Sequence, residues 1–291
     1  MTTFPTLGFA GIGLMGSRMV PRLLAAGYPV WVWNRSPDKC VPLLAQGAHH
    51  AHSLAGLADH CDILMLCLSD TAAVEQVIRG EHGLAAFLRR GQLVVDFSSI
   101  TPDATRQLAA ELAPLGVDWV DAPVSGGTGG AESGRLVIMA GGDDAAVERF
   151  RPVAAHLSQR LTRMGPVGSG QITKICNQMI VAGNAVLIAE TVALAAKAGV
   201  DAAQLAPALA GGFAGSLPFQ ILAPRMATDS FEPVQWKVQT LLKDLDNAVA
   251  LAKEQLSGVP VSALAAQLLR QHAARGAALE DLSSVVRLFK P

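Results

Sequence analysis

One pattern dominates the first half of the chain and leaves few folds open to it. Short runs rich in Val, Ile and aromatic residues alternate with longer Ala/Leu-rich segments in which apolar residues recur every three or four positions. Residues 7–10, 30–33, 63–67, 93–97 and 117–121 read as strands, and 16–26, 37–46, 71–79 and 102–114 as helices between them. Strands joined through helices pair in parallel, because parallel neighbours need a crossover of a dozen or more residues. Their apolar character on both sides implies cover on both faces. Strands at 136–139 and 161–163, with a helix over 144–156, extend the same sheet.

After Gly165-Pro166 the strand pattern stops. A helical pattern runs from Gln171 to about Ala198 without proline, and Ala/Leu/Gln-rich helical segments follow it. The expected organisation is a doubly wound, mostly parallel α/β domain over 1–164 and an all-helical domain over 165–291. Up to Ala198 the long helix carries three charged residues, Lys174, Glu190 and Lys197. A helix so apolar is expected to be buried all round, part of it in a subunit contact. Charged residues make up 16% of the chain, below the usual quarter or so, which points the same way.

Charge and composition exclude several classes. With 23 basic and 24 acidic residues the net charge is −1, and no basic run suggests nucleic acid or an anionic membrane as partner. The charge-free stretch 175–189 is interrupted by Asn177, Gln178, Gly183 and Asn184, so it is expected to fall short of a spanning helix. The first residues lack a basic segment followed by an apolar one, so no secretory signal is expected. Cys40, Cys61, Cys67 and Cys176 show no CxxC spacing, and the seven His are scattered. Four buried thiols in a reduced, cytoplasmic chain, with no metal site, are the expectation.

The first strand ends in a glycine turn: Gly11, Ile12, Gly13, Leu14, Met15, Gly16. Between a strand and a helix, Gly11 and Gly13 allow a tight turn and close approach to a pyrophosphate, and Gly16 allows close helix packing. The helix N-terminus then offers free N–H groups to the phosphates. Pro21 in that helix is unexpected and predicts a kink. After the second strand, a chain selective for NAD would offer an acid about 20 residues beyond the loop. Here Asn34 stands there, followed by Arg35 and Ser36. A guanidinium fork with a hydroxyl beside it suits a 2′-phosphate, so NADP is expected over NAD.

Five separated motifs then stand in order along nearly the whole chain. They are the glycine turn, Asp121-Ala-Pro-Val-Ser-Gly-Gly127, Gly168-Ser-Gly-Gln-Ile-Thr-Lys174-Ile-Cys-Asn177, Lys243-Asp-Leu245 and Asp281-Leu-Ser-Ser-Val-Val286. Together they resemble the β-hydroxyacid dehydrogenase family, which includes 3-hydroxyisobutyrate dehydrogenase and tartronate semialdehyde reductase. The resemblance implies a Rossmann-type first domain. It matches Lys174 to the catalytic lysine and Asn177 to the substrate-orienting asparagine. It places the substrate carboxylate at Ser125, Gly126 and Gly127, lines the nicotinamide side with Leu68, Ser69 and Ser99, and brings Lys243 to cofactor and substrate. It implies homodimers or homotetramers formed through the helical domain.

Residue chemistry supports several of these matches. Lys174 and Asn177 are three apart on a helix and project from one face. Gly168 and Gly170 mark the helix start, so the dipole there, with desolvation, is expected to favour a neutral amine. A lysine acid can protonate a carbonyl oxygen while hydride arrives. Consecutive N–H groups of a Ser-Gly-Gly turn can form a nest for a carboxylate. Ser69 replaces a commoner proline, Trp236 a phenylalanine, Gln235 a glycine, and Gln178 the second of two asparagines. These departures bear on which small carboxylate is the substrate. An imine reductase of the same architecture is the alternative enzyme, although that group typically lacks lysine at position 174. A non-catalytic NADP-binding sensor is the alternative outside catalysis.

Overall fold

The apolar runs assemble as their alternation predicts. In the computed structural model, which describes residues 4–290, strand β1 (Leu7–Ala10) leads through the glycine turn into helix α1 (Gly16–Ala25). There follow β2 (Val30–Trp33), α2 (Val41–Leu44), β3 (His49–His50), α3 (Leu54–His60), β4 (Ile63–Leu66) and α4 (Thr71–Arg79). Then come β5 (Leu93–Asp96), α5 (Pro102–Leu112), β6 (Asp118–Asp121), β7 (Val124–Ser125), α6 (Gly127–Ser133), β8 (Leu136–Gly141), α7 (Asp144–Ala154) and β9 (Ser158–Gly165).

These strands form one sheet in the order β3-β2-β1-β4-β5-β6-β8-β7, with β9 paired to β8. Pairing is parallel from β3 to β6 and again between β8 and β9, while β8 runs antiparallel to β6 and β7. Every residue of β1, β4 and β5 is buried, as strands covered on both faces must be. One face buries Phe9, Met65, Val95 and Phe150; the other buries Leu64, Leu66, Val94 and Trp119. The strand order reverses at β1, which lies between β2 and β4. Open α/β sheets bind ligands beyond the carboxyl ends of the strands at such a point.

The structure departs from expectation where proline and glycine intervene. The helix expected over 37–46 is a 3-10 turn, Pro37–Cys40, followed by the single turn of α2. Pro42 lacks an N–H, and its ring crowds the carbonyl four residues back. The two-residue strands β3 and β7 and the helices α3 and α6 have no counterpart in the sequence pattern. α3 carries its own start signal, the Ser53 hydroxyl accepting from Gly56 N at 3.0 Å. Helix α1 runs through Pro21 without a break.

The second compact unit begins at Ile175, ten residues beyond the boundary expected after residue 164. The boundary falls inside α8 (Ser169–Lys197) because the start of that helix is fastened to the sheet unit. Gly168 N and Gln171 N donate to the two oxygens of Asp121, at 2.8 and 2.9 Å. Helices α9 (Leu205–Leu209), α10 (Leu217–Ala227), α11 (Val238–Glu254) and α12 (Pro260–Ala274) follow, then a 3-10 segment, Leu282–Leu288. No strand occurs among the described residues of this unit. Its core gathers Ala182, Ala185, Ala189 and Val192 of α8 with Met226, Leu241, Leu245, Leu269 and Val285.

Within the chain α8 is buried on part of its surface: Ile180, Leu187 and Leu194, seven residues apart, are 67%, 60% and 70% exposed. Its apolar character exceeds expectation, since by length and composition it could cross a membrane despite its internal Asn, Gln and Gly. The thiols need correction too. Cys40 and Cys61 are buried, Cys67 is half-buried, and Cys176 is exposed on α8.

Candidate active site

The glycines of the turn after β1 have different tasks. Gly11 has φ +105, and a Cβ there would lie 2.3 Å from the Cys67 carbonyl oxygen. At Gly16 a Cβ would lie 2.2 Å from the Gly11 carbonyl oxygen. Both are required by the protein's own packing. A Cβ at Gly13 would meet nothing within 4 Å, so this glycine keeps space open on the outer side of the turn. No side chain caps the start of α1, and its first turn holds no acid. An open glycine facing an uncapped helix start fits the pyrophosphate of a dinucleotide.

Around this turn, Asn34 accepts from Ile12 N at 3.0 Å and donates to the Ser36 carbonyl oxygen at 2.9 Å. It thereby ties the turn to the end of β2, while Arg35 and Ser36 stay exposed. Ile12 is buried, Met15 half-buried and Leu14 exposed. Beyond β4, Leu68 N donates to the Ser98 hydroxyl at 2.9 Å. Ser69 donates to Asp70 at 2.7 Å, and Asp70 caps α4 by accepting from Ala73 N at 2.9 Å. Ser99 lies in the loop after β5.

Two carboxyls end adjacent strands in register, Asp96 on β5 and Asp121 on β6. Burial pushes Asp96 up to about 7; hydrogen bonds from Ser98 oppose this and the Asp121 charge adds to it. Its Oδ2 is the buried side-chain polar atom without a partner among the described residues. Burial also pushes Asp121 up to about 6, against the N–H groups of Gly168 and Gln171. Gln171 continues this network, donating to the Ser98 carbonyl oxygen at 2.8 Å and accepting from Ile100 N at 3.2 Å. Three residues further along α8, Lys174 Nζ donates to the Val124 carbonyl oxygen at 2.9 Å. Val124 directly precedes Ser125, Gly126 (φ +122) and Gly127 (φ +60), and a Cβ at Gly127 would meet nothing within 4 Å. Lys174 and the Ser-Gly-Gly turn are therefore brought together within the sheet unit. Asp96, Ser98, Asp121 and Gln171 received no role from the sequence; the available signal was an acid ending each of two apolar strands.

In the helical unit, Asn177 Nδ2 donates to Gln178 Oε1 at 2.8 Å, and Gln178 Nε2 donates to Asp244 Oδ2 at 2.5 Å. Lys243 Nζ pairs with Asp244 Oδ1 at 3.2 Å. Asn177 and Lys243 are thus joined through two buried groups. The stretch before α11 is fixed by the terminal motif: Asp281 accepts from Gln235 N and Trp236 N at 2.7 and 3.3 Å. Burial raises the Asp281 carboxyl, but these bonds and those from Ser283 outweigh it and hold it below the ordinary range.

With this geometry in hand, the similarities to known proteins are specific. Residues 6–165 match the NAD binding domain of 6-phosphogluconate dehydrogenase. Residues 168–289 match the NAD-binding domain of NADP-dependent 3-hydroxyisobutyrate dehydrogenase. The 2-hydroxy-3-oxopropionate reductase of Escherichia coli (strain K12) is 37% identical, over 98% of this chain and 97% of that protein. Among solved structures, Mycobacterium tuberculosis 3-hydroxyisobutyrate dehydrogenase with L-serine aligns with a TM-score of 0.89 at 28% identity, over 99% of this chain and 100% of that one. Psf3 in complex with NADP+ and 2-OPP aligns with a TM-score of 0.88 at 27% identity, over 98% of this chain and 100% of that one.

Proposed function

The chain belongs to the β-hydroxyacid dehydrogenase family of nicotinamide-dependent oxidoreductases, and within it we propose an NADP-dependent reductase of small carboxylate-bearing aldehydes such as tartronate semialdehyde. One observation carries the reading: the Lys174 ammonium sits on the carbonyl immediately before the open Ser125-Gly126-Gly127 turn. The N–H groups of the turn and the Ser125 hydroxyl hold the substrate carboxylate. A bound nicotinamide supplies the hydride. Lys174 donates a proton to the carbonyl oxygen as negative charge develops there, and in the reverse direction takes it back. On the family's pattern, Asn177 orients the substrate and Lys243 contacts both substrate and cofactor. Leu68, Ser69 and Ser99 line the nicotinamide side.

The preference for NADP rests on Arg35 and Ser36, which stand exposed after β2, and on Asn34. Asn34 is neutral and already committed to Ile12 N, so no acid at that position repels a 2′-phosphate. A charge-assisted pair with Arg35 is worth about 1.5–3 kcal/mol. Arg35→Ala should raise KM for NADPH by about ten- to a hundredfold and leave KM for NADH nearly unchanged. Equal use of both cofactors by the wild type would remove the preference.

A second copy of the chain is the proposed cover for the apolar stripe of α8. Ile180, Leu187, Val261 and Leu264 line a groove there together with Asn184 and Glu190. Those polar groups suit a protein contact better than hydrocarbon. A monomeric mass by light scattering at micromolar concentration would contradict this. Activity itself is tested by NADPH oxidation with a panel of small semialdehydes, keto acids and imines. Turnover with carboxylate-bearing carbonyls is expected. Imine-only turnover would identify the reductase alternative, and NADPH binding without turnover a sensor.

A further inference from the structure

We propose that Gln178 is a positioning residue that sets which way the Asn177 amide faces, through Asp244. Hydrogen-bond direction carries the argument. An ionised carboxylate can only accept, so the Gln178 group facing Asp244 Oδ2 is its NH2. Its carbonyl Oε1 is then fixed on the other side and can only accept, so Asn177 turns its own NH2 toward it. Asn177 Oδ1 is left pointing away from the chain of bonds, as a hydrogen-bond acceptor. The charge at Asp244, itself paired with Lys243, thus decides the sense of two successive amides. Gln178 and Asp244 are 1% and 4% exposed, so water does not compete for these bonds.

The consequence concerns the substrate class, and it rests on the reading that Asn177 faces substrate. An outward acceptor suits a hydroxyl donor on the substrate. An acid with a hydroxyl beside the reacting carbon is therefore favoured over one bearing only a methyl there. A shorter amide at position 178 would have to reach the same carboxylate with one methylene less. The signal at position 178 is visible in the sequence as a departure from the family's paired asparagines, but its partner is not.

Two variants test the proposal. Gln178→Met keeps the volume and removes both bonds. With its melting temperature checked, it should lower kcat/KM for a hydroxylated semialdehyde by about tenfold and for the methyl analogue by less than about twofold. Gln178→Glu adds a pH signature. Asp244 is in direct contact with position 178, Lys243 stands behind Asp244 on α11, and Asn177 faces it from α8. While protonated, the introduced carboxyl can donate to Asp244 and accept from Asn177 as the glutamine does. Once ionised it repels Asp244. The activity ratio of this variant to wild type should therefore fall by about tenfold as pH rises across neutrality. Equal losses on both substrates, or a pH-independent ratio, would overturn the proposal. Absence of dehydrogenase turnover in the wild type would instead overturn the reading of the site.

Discussion

Two groups of functional residues are held by different means. In the sheet unit Asn34, Asp121 and Lys174 reach backbone groups: Ile12 N, Gly168 N and Gln171 N, and the Val124 carbonyl. In the helical unit Asn177, Gln178, Asp244 and Lys243 are linked side chain to side chain. Backbone anchors survive changes in their neighbours' side chains, because every residue but proline offers the same N–H and C=O. A side-chain chain depends on the identity of every link. Substitutions should therefore act one by one in the first unit and jointly in the second.

The largest expected effect tests the first half of that contrast. Lys174→Ala should lower kcat by about 10²–10⁴-fold and leave NADPH affinity near wild type, since Lys174 reaches the carbonyl that precedes the Ser-Gly-Gly turn. Retention of more than about a tenth of kcat would take Lys174 out of the reaction. The turn's glycines give the next effect and sharpen the division between packing and ligand space. Gly16→Ala should cost about 1–3 kcal/mol of stability, because its Cβ meets a backbone oxygen that cannot move away. Gly13→Ala should leave stability unchanged and weaken NADPH binding by about tenfold or more, readable by calorimetry. Equal losses of stability in both would show that Gly13 serves the fold.

An effect of the same order as that of Gly16→Ala, and one that varies with conditions, is a pH dependence. In the folded chain the Asp96 carboxyl is pushed from 3.8 up to about 7, so across that window the folded state retains a proton that the unfolded chain has released. Stability contributed at this site falls as pH rises through the window and is lowest above it. Asp96→Asn, which cannot ionise, should be more stable than wild type at pH 8 by an amount on the order of 1–4 kcal/mol. The advantage should shrink toward pH 4. Denaturant midpoints at the two pH values decide it, and a constant difference would contradict the assignment.

What the sequence makes legible follows from the same contrast. Periodicity locates the main strands and the long helix, since burial on two faces or one stripe leaves its mark residue by residue. The glycine turn and the helix start that carries Lys174 are legible because each sits beside local signals: a strand end, and glycines that mark where a helix begins. Short or broken elements are not. Pro42 divides an expected helix, and α6, made largely of small residues, carries no apolar period. Networks closed over 46 to 73 residues of sequence, such as Asp121 with Gly168, Gln171 with Ser98 and Gln235 with Asp281, have no local signature. The exposed stripe of α8 escapes sequence reading because composition reports how apolar a helix is, and cannot report which side its own chain covers.

Tracing the transferred hydrogen tests the central claim most directly. NADPH deuterated at the nicotinamide C4 on the transferred side, supplied with tartronate semialdehyde, should yield one hydroxy acid per NADPH consumed, with deuterium on the newly formed carbinol carbon. Lys174→Ala should form the same labelled product far more slowly. Unlabelled product, or NADPH consumed without formation of a hydroxy acid, would contradict hydride transfer to a carboxylate-bearing carbonyl at this site.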